Sequence, residues 1–420
     1  MSTVRFPPRG DKRALGDITN LHQNDPIPLK PNQNVAKPRR APIAKSNANA
    51  LAARRAANAS VLSDNTNSHS PMSTGASAPR LRLSARNSRS SKNAAHAIAR
   101  AAAAAAAVSC KLHFPSERAR HLPSSRPLLK PPFPVIDLDA EQRHNHLAAA
   151  EYACQIHANM VNVETKFMPD PGYMTRQADI TVRMRAILVD WLVDVHQKFN
   201  LKPETLHLTV NIIDRFLEVT QVVRRKLQLV GVTAMFIASK YEEIFAPMVA
   251  DFVYISDKAY TKDEILSMEA FILNALNFDV TVPSSLSLMR RCLKAATATS
   301  GTDLAAHRHL THYLMELALQ DSVMLEFRPS VRVASACRLA ARLCRISLPW
   351  DRSMKFHSGG WTERDIAECE GEMIRLLQQE RDGTGNSNLT AVKRKFSSER
   401  FSAISANVPS TDSIMDCSEQ

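Results

Sequence analysis

The sequence predicts an all-α protein of two tandem helical bundles behind a long basic tail. Three observations carry this. From about Asp139 onward apolar residues recur at three- and four-residue spacing, strand-like alternation is absent and glycine is scarce, with 11 in 420 residues, which is the pattern of packed helices. Residues 260–277 (YTKDEILSMEAFILNALN) align without gaps on residues 361–378 (WTERDIAECEGEMIRLLQ), 101 positions later, and such an offset reports the size of a structural unit. Residues 1–130 hold 22 Lys and Arg against 5 Asp and Glu. Rich in Ser, Asn, Ala and Pro and poor in aromatics, they bury too little apolar surface to offset chain entropy, so disorder is expected there.

Periodicity places helices over residues 148–160, 183–199, 203–217, 224–243, 261–276, 284–296, 304–321, 330–344 and 362–379. Thr261 and Thr362 stand where a hydroxyl accepts a first-turn N–H, with acidic residues following to suit the helix dipole. A looser echo sets VGVTAMFIASK (230–240) against SVRVASACRLAAR (330–342). Its alanine pairs, Ala234 with Ala238 and Ala336 with Ala340, let neighbours approach a central helix closely. The resulting division is a tail over 1–135, a first bundle with its preceding helix over 148–280, a second bundle over 281–395 and a C-terminal tail over 396–420. The polyalanine run 101–107 has no partner face.

The net charge of +13 resides in the tail, because the remaining 290 residues sum to −4. Basic clusters at 37–40 and 80–92 read as nuclear import signals, as nucleic-acid contacts, or as a solvated basic tail. Seven cysteines without a CxxC pair argue against a disulfide framework or a zinc site, and a reduced intracellular setting is expected. The sequence shows no apolar run near 18 residues and no charged-then-apolar leader, so neither a membrane span nor a secretory signal is expected.

Met184, Ile187, Leu188 and Trp191 fall at i, i+3, i+4 and i+7 on a helix apolar nearly all round. Such a stripe is either core or a docking groove. Arg185 sits among apolar neighbours and requires a carboxylate partner if buried. Lys240 and Glu269 end apolar faces on different helices, where a solvated or mutually paired surface duo is the plain reading. No Gly-rich phosphate loop, metal-ligand spacing or nucleophile constellation is present, so neither catalytic residues nor a cofactor is expected.

MRAILVDW (184–191), ASKYEE (238–243) and LSMEAFIL (266–273) closely resemble the cyclin box. YMTRQADITVRMRAILVDWL (173–192), MRRCLKAA (289–296) and AVKRKFSSERF (391–401) resemble B-type, mitotic cyclins, over about residues 135–409. The resemblance implies two five-helix boxes and a regulatory subunit that activates a cyclin-dependent kinase. It implies kinase contacts at Tyr152, Ile156, Lys240, Tyr241, Glu269, Leu273 and Phe278, in the first bundle alone, since no lysine repeats Lys240 opposite Glu370. It implies an RxL-substrate patch of Met184, Ile187, Leu188, Trp191, Leu227 and Gln228, with Asp194 meeting the motif's arginine. Asp214 is implied as the structural partner of Arg185.

KRALGDITN (12–20) resembles the destruction box read by the anaphase-promoting ubiquitin ligase. Leu15, Gly16, Asp17, Ile18 and Asn20 fit, whereas Lys12 stands in place of the leading arginine and lacks its planar fork. Arg290, Arg308 and His312 align, across an insertion, with basic residues of a B-type phosphate pocket, or are unrelated surface charges. Ser70 before Pro71 is the sole Ser-Pro or Thr-Pro pair. Control of mitotic entry, residence in nucleus and cytoplasm and destruction at anaphase follow as expectations of the same resemblance. The competing reading is a nucleic-acid-binding transcription factor on the cyclin fold; positive charge confined to the tail weighs against it.

Overall fold

The computed structural model describes residues 135–301, 305–383 and 389–408, and no β-strand occurs among them. The destruction-box stretch, the basic clusters, the polyalanine run and Ser70 all fall outside. Helix α1 (Ala153–Val163) precedes a first bundle of α2 (Val182–Lys198), α3 (Pro203–Val219), α4 (Arg224–Glu242), α5 (Val249–Ile255) and α6 (Lys262–Ala275). The second bundle comprises α7 (Ser285–Ser300), α8 (Ala305–Gln320), α9 (Pro329–Leu343), α10 (Arg352–His357) and α11 (Glu363–Asp382). Helix α12 (Ala391–Phe396) follows. Corresponding helices of the two bundles start 101 to 105 residues apart, so the repeat seen at one helix extends to all five.

Local chemistry sets the boundaries. Prolines occupy the first turns of α3 and α9, where the missing N–H has no intrahelical partner to lose. The repeated threonines build two matching capping boxes: the N–H of Thr261 donates to Glu264 (2.8 Å) and that of Thr362 to Asp365 (2.8 Å). Helices α4 and α9 form the centres. Ala234, Ala238, Ala336 and Ala340 are all fully enclosed, as the small-residue spacing predicts. At Gly231 an added Cβ would fall 2.7 Å from a methyl of Leu188, so the α2–α4 approach requires glycine there.

Four helices, α1, α5, α10 and α12, differ from the sequence expectation. The first begins at Ala153 rather than 148, because residues 146–148 form a 3-10 turn closed by Ala149 at φ 46°. Helices α5 and α10, of 7 and 6 residues, are too short to display a 3.6-residue period. The expected C-terminal tail from residue 396 continues the fold instead: Phe396 and Ile404 are buried, with 3-10 turns at Glu399–Phe401 and Ile404–Ala406.

Candidate interaction surface

Arg185, 1% exposed, donates from Nε and Nη2 to the two carboxylate oxygens of Asp214 (2.6 and 2.7 Å), and Tyr173 donates its hydroxyl to the same carboxylate (2.8 Å). Its remaining nitrogen, Nη1, donates to the carbonyl of Leu319 (3.0 Å) at the end of α8. The guanidinium therefore joins the first two helices of one bundle and also caps a helix C-terminus of the other, where unpaired carbonyls favour a cation. Burial alone would lower the arginine pKa, but the Asp214 carboxylate raises it above the ordinary value. The inter-bundle bond has no sequence signal, since it lies 134 residues away.

Lys240 at the end of α4 and Glu269 on α6 form an ion pair on the surface, and the ammonium also rests 4.2 Å from the Phe236 ring centre. Tyr241 and Phe278 are solvent-facing, Leu273 is half-buried, and Tyr152, just before α1, and Ile156 on it are exposed. The Tyr241 hydroxyl donates to Thr281 (2.9 Å), tying the end of α4 to the segment after α6. The sequence reading omitted Ile244, Phe245 and Met248, exposed in the loop after Tyr241, with Phe245 92% open. Three large apolar side chains beside a helix end were the available signal.

The second bundle carries the corresponding pair. Glu370 accepts from Arg342 (2.5 Å) and also from Arg338 (2.6 Å), both on α9. An arginine one place off register thus does what the missing lysine would, and a second one seals the site. Glu370 is buried, whereas the Lys240 ammonium stands at the surface.

The α2 stripe is divided. Met184 and Leu188 are buried, as is Leu227 opposite, while Ile187, Trp191 and Gln228 are half-exposed. Any groove here is walled by Ile187, Trp191 and Gln228 over a core floor. Asp194, expected to await a docking arginine, accepts from Arg394 of α12 at 2.5 and 2.6 Å.

Comparison with known proteins places this architecture. Residues 155–281 match the family model described as cyclin, N-terminal domain, and residues 283–410 that of cyclin, C-terminal domain. The chain belongs to the cyclin family. Cyclin-B2-3 of Arabidopsis thaliana is 42% identical over 268 residues, 64% of this chain and 60% of that protein. G2/mitotic-specific cyclin-1 of Medicago sativa subsp. varia is 43% identical over 266 residues, 63% of this chain and 60% of that protein. The match therefore spans about 60% of these relatives' length. A viral cyclin from herpesvirus saimiri superposes with a TM-score of 0.46 at 18% identity, covering 53% of this chain and 97% of that one.

Within the second cyclin box, Arg290 is engaged by Glu204 of α3, and His312 is half-buried. Burial first, then the cations Lys395, Arg290 and Arg308, lowers His312 to about 4, so it is a neutral imidazole near pH 7 and not the third cation expected. No group of three His, Cys, Asp or Glu able to hold a metal occurs among the described residues, and no described helix is long and apolar enough to cross a membrane.

Proposed function

We propose that this cyclin is the regulatory subunit of a mitotic cyclin-dependent kinase, which it binds through its first box and activates. One observation carries the reading: the surface pair Lys240 and Glu269 borders exposed Tyr241 and Phe278, in a chain whose relatives are named B-type and mitotic cyclins. Apolar side chains left open beside a charged pair have the composition of a protein interface. Glu370, already held by Arg338 and Arg342, offers no such opening.

Pressed against a kinase, this surface holds the kinase's movable helix inward, so that the kinase's own Lys and Glu pair and its metal-binding residues take up working positions. All catalytic groups belong to the kinase. Ile187, Trp191 and Gln228 serve as the docking wall for RxL-type substrates, and residues 12–20 as the destruction signal for the anaphase-promoting ubiquitin ligase. The basic tail supports nuclear entry, with residence in both nucleus and cytoplasm.

Affinity purification of the full chain from mitotic cells, followed by mass spectrometry and a phosphorylation assay, tests the proposal. A stoichiometric, active cyclin-dependent kinase is expected. Recovery of no kinase, with salt-sensitive duplex DNA binding by residues 135–409, would overturn it in favour of the transcription-factor reading.

A further inference from the structure

The docking wall has oppositely charged ends. On α2, Arg183, Ile187, Asp190 and Asp194 recur at i, i+4, i+7 and i+11, so they share one helix face beside Trp191, and each reaches solvent at least in part. Two acids thus stand toward the C-terminal end of this face and one arginine at its N-terminal end. Helix α4 runs alongside in the same direction: Gly231 lies against Leu188, and Arg224 in its first turn pairs with Asp179 just ahead of α2 (2.7 Å). The start of α4 therefore meets the basic end. Arg225, exposed, precedes Gln228 of the wall by three positions and lies on the same face of α4.

The acids near that end are already engaged. Asp179 accepts from the N–H and Nε of Arg224 (2.8 and 2.7 Å), with the charge of Arg225 also beside it. Asp321, across the hollow next to Val182, is held by Arg375 (2.8 Å). Lys226 turns to a separate hollow that it shares with Asp263 and Glu264 of α6. Three arginines, 183, 224 and 225, thus accompany one carboxylate, and neither Arg183 nor Arg225 forms an ion pair among the described residues. Neither α2 nor α4 has an acidic residue in its first turn, and cations there oppose the helix dipole, so these arginines do not serve helix formation. At the opposite end Asp194 is met by Arg394, which an incoming arginine displaces, and Asp190 accepts from the N–H of Ala391 and from Gln320.

We propose that the groove selects arginine-x-leucine peptides carrying an aspartate or glutamate on the C-terminal side of the leucine, and that Arg183 and Arg225 receive this carboxylate. The selectivity presupposes the docking role of Ile187, Trp191 and Gln228 proposed above. Its direction follows from the order of groups along α2. With the peptide arginine at Asp194, the leucine that follows falls on the apolar stretch of Trp191 and Ile187, so the chain continues toward Arg183. Eleven helical positions separate Asp194 from Arg183, a rise of about 16 Å. An extended peptide advances about 3.3 Å per residue, which places the acid about four to six residues after the arginine.

Fluorescence anisotropy on the full chain tests this with peptides of one length: acids at the fifth and sixth positions after the arginine, glutamines there instead, or the acids moved ahead of the arginine. The first should bind about three- to tenfold more tightly than the second, by a margin that shrinks as salt is raised. Moving the acids ahead of the arginine should give no gain. Arg183→Gln with Arg225→Gln, both at exposed positions, should erase the advantage and leave the affinity of the glutamine peptide unchanged. Equal binding of the first two peptides, an advantage that survives in the double variant, or an equal gain from acids ahead of the arginine overturns the proposal. If replacing the peptide arginine by alanine changes nothing, the docking role itself fails, and the selectivity with it.

Discussion

Arg394 donates to both carboxylate oxygens of Asp194, at 2.5 and 2.6 Å, so the acid beside the α2 stripe is occupied by the chain's own C-terminal helix. The contact is at the surface, but α12 is firmly anchored. Lys395 donates to both oxygens of buried Glu316 (2.6 and 2.7 Å), and the N–H of Ala391 donates to Asp190 (2.9 Å). A cation held in place by its own helix competes with an incoming one at little entropic cost.

Arg394→Ala should therefore strengthen binding of an RxL peptide. An exposed ion pair contributes roughly 0–1 kcal/mol, so the gain is at most about fivefold. Fluorescence anisotropy with RxL and AxL peptides reads it. Equal strengthening of both peptides would show that Arg394 does not compete for the arginine.

Lys240→Ala with Glu269→Ala should abolish kinase recovery and leave helical content intact. Lys240 stands at the surface with Glu269 largely covered beside it, and each loses charged hydrogen bonds of about 1.5–3 kcal/mol, together a hundredfold or more in affinity. Circular dichroism and co-purification measure the two effects separately. Active kinase at wild-type yield would remove the pair from the interface.

Arg185→Ala should cost about 3–5 kcal/mol, because it strands the buried Asp214 carboxylate. It also uncaps α8, so both boxes loosen together. Arg185→Lys should recover little, since an ammonium cannot fork to Asp214 and still reach Leu319. Urea midpoints provide the readout, and a variant that unfolds at the wild-type midpoint would refute the account.

Much of this was legible in sequence. Thr261 and Thr362 disclosed the repeat and its helix starts because capping is local chemistry. The Arg185–Asp214 pairing came from the resemblance, and its need for a carboxylate from burial. What escaped was tertiary. Spacing marks Met184, Leu188 and Trp191 as one stripe but does not say that the first two face inward. The alignment of Glu370 shows no lysine opposite it, yet Arg338 and Arg342 reach it from a register that only packing reveals. Asp194's partner lies 200 residues away, beyond any pattern on α2.

Residues 12–20 lie outside the described structure, and their expected role rests on LGDITN within a lysine-bearing basic segment. Deleting residues 1–30 should leave kinase activation unchanged and hold the protein at its mitotic level through anaphase. Lys12→Arg should hasten loss if a planar fork suits the receptor better than a point charge. In synchronised cells, disappearance of the truncated protein on the normal schedule would exclude this segment as the operative signal.

Acid should destabilise the fold through its buried imidazoles. Burial, helped by the charges of Lys395 and Arg400, lowers His196 to about 3 from 6.5, and burial with Arg291 lowers His157 to about 3. Below pH 6.5 the unfolded chain takes up protons that the folded one refuses, so this stability is present above 6.5 and lost as pH falls toward 3. Glu164 acts in the opposite sense: burial lifts it from 4.5 to about 7, against the hydrogen bonds of Ser330, so its contribution is full below 4.5 and fades as pH rises through 7. His196→Gln keeps a donor for the carbonyl of Lys202, which the imidazole meets at 2.9 Å, and removes the titration. Denaturant midpoints from pH 4 to 8 should then flatten by up to about 1.4 kcal/mol per pH unit in the acid range. Glu164→Gln should steepen the rise between 4.5 and 7. A His196→Gln profile parallel to wild type would mean that the imidazole is solvated or already charged in the folded state.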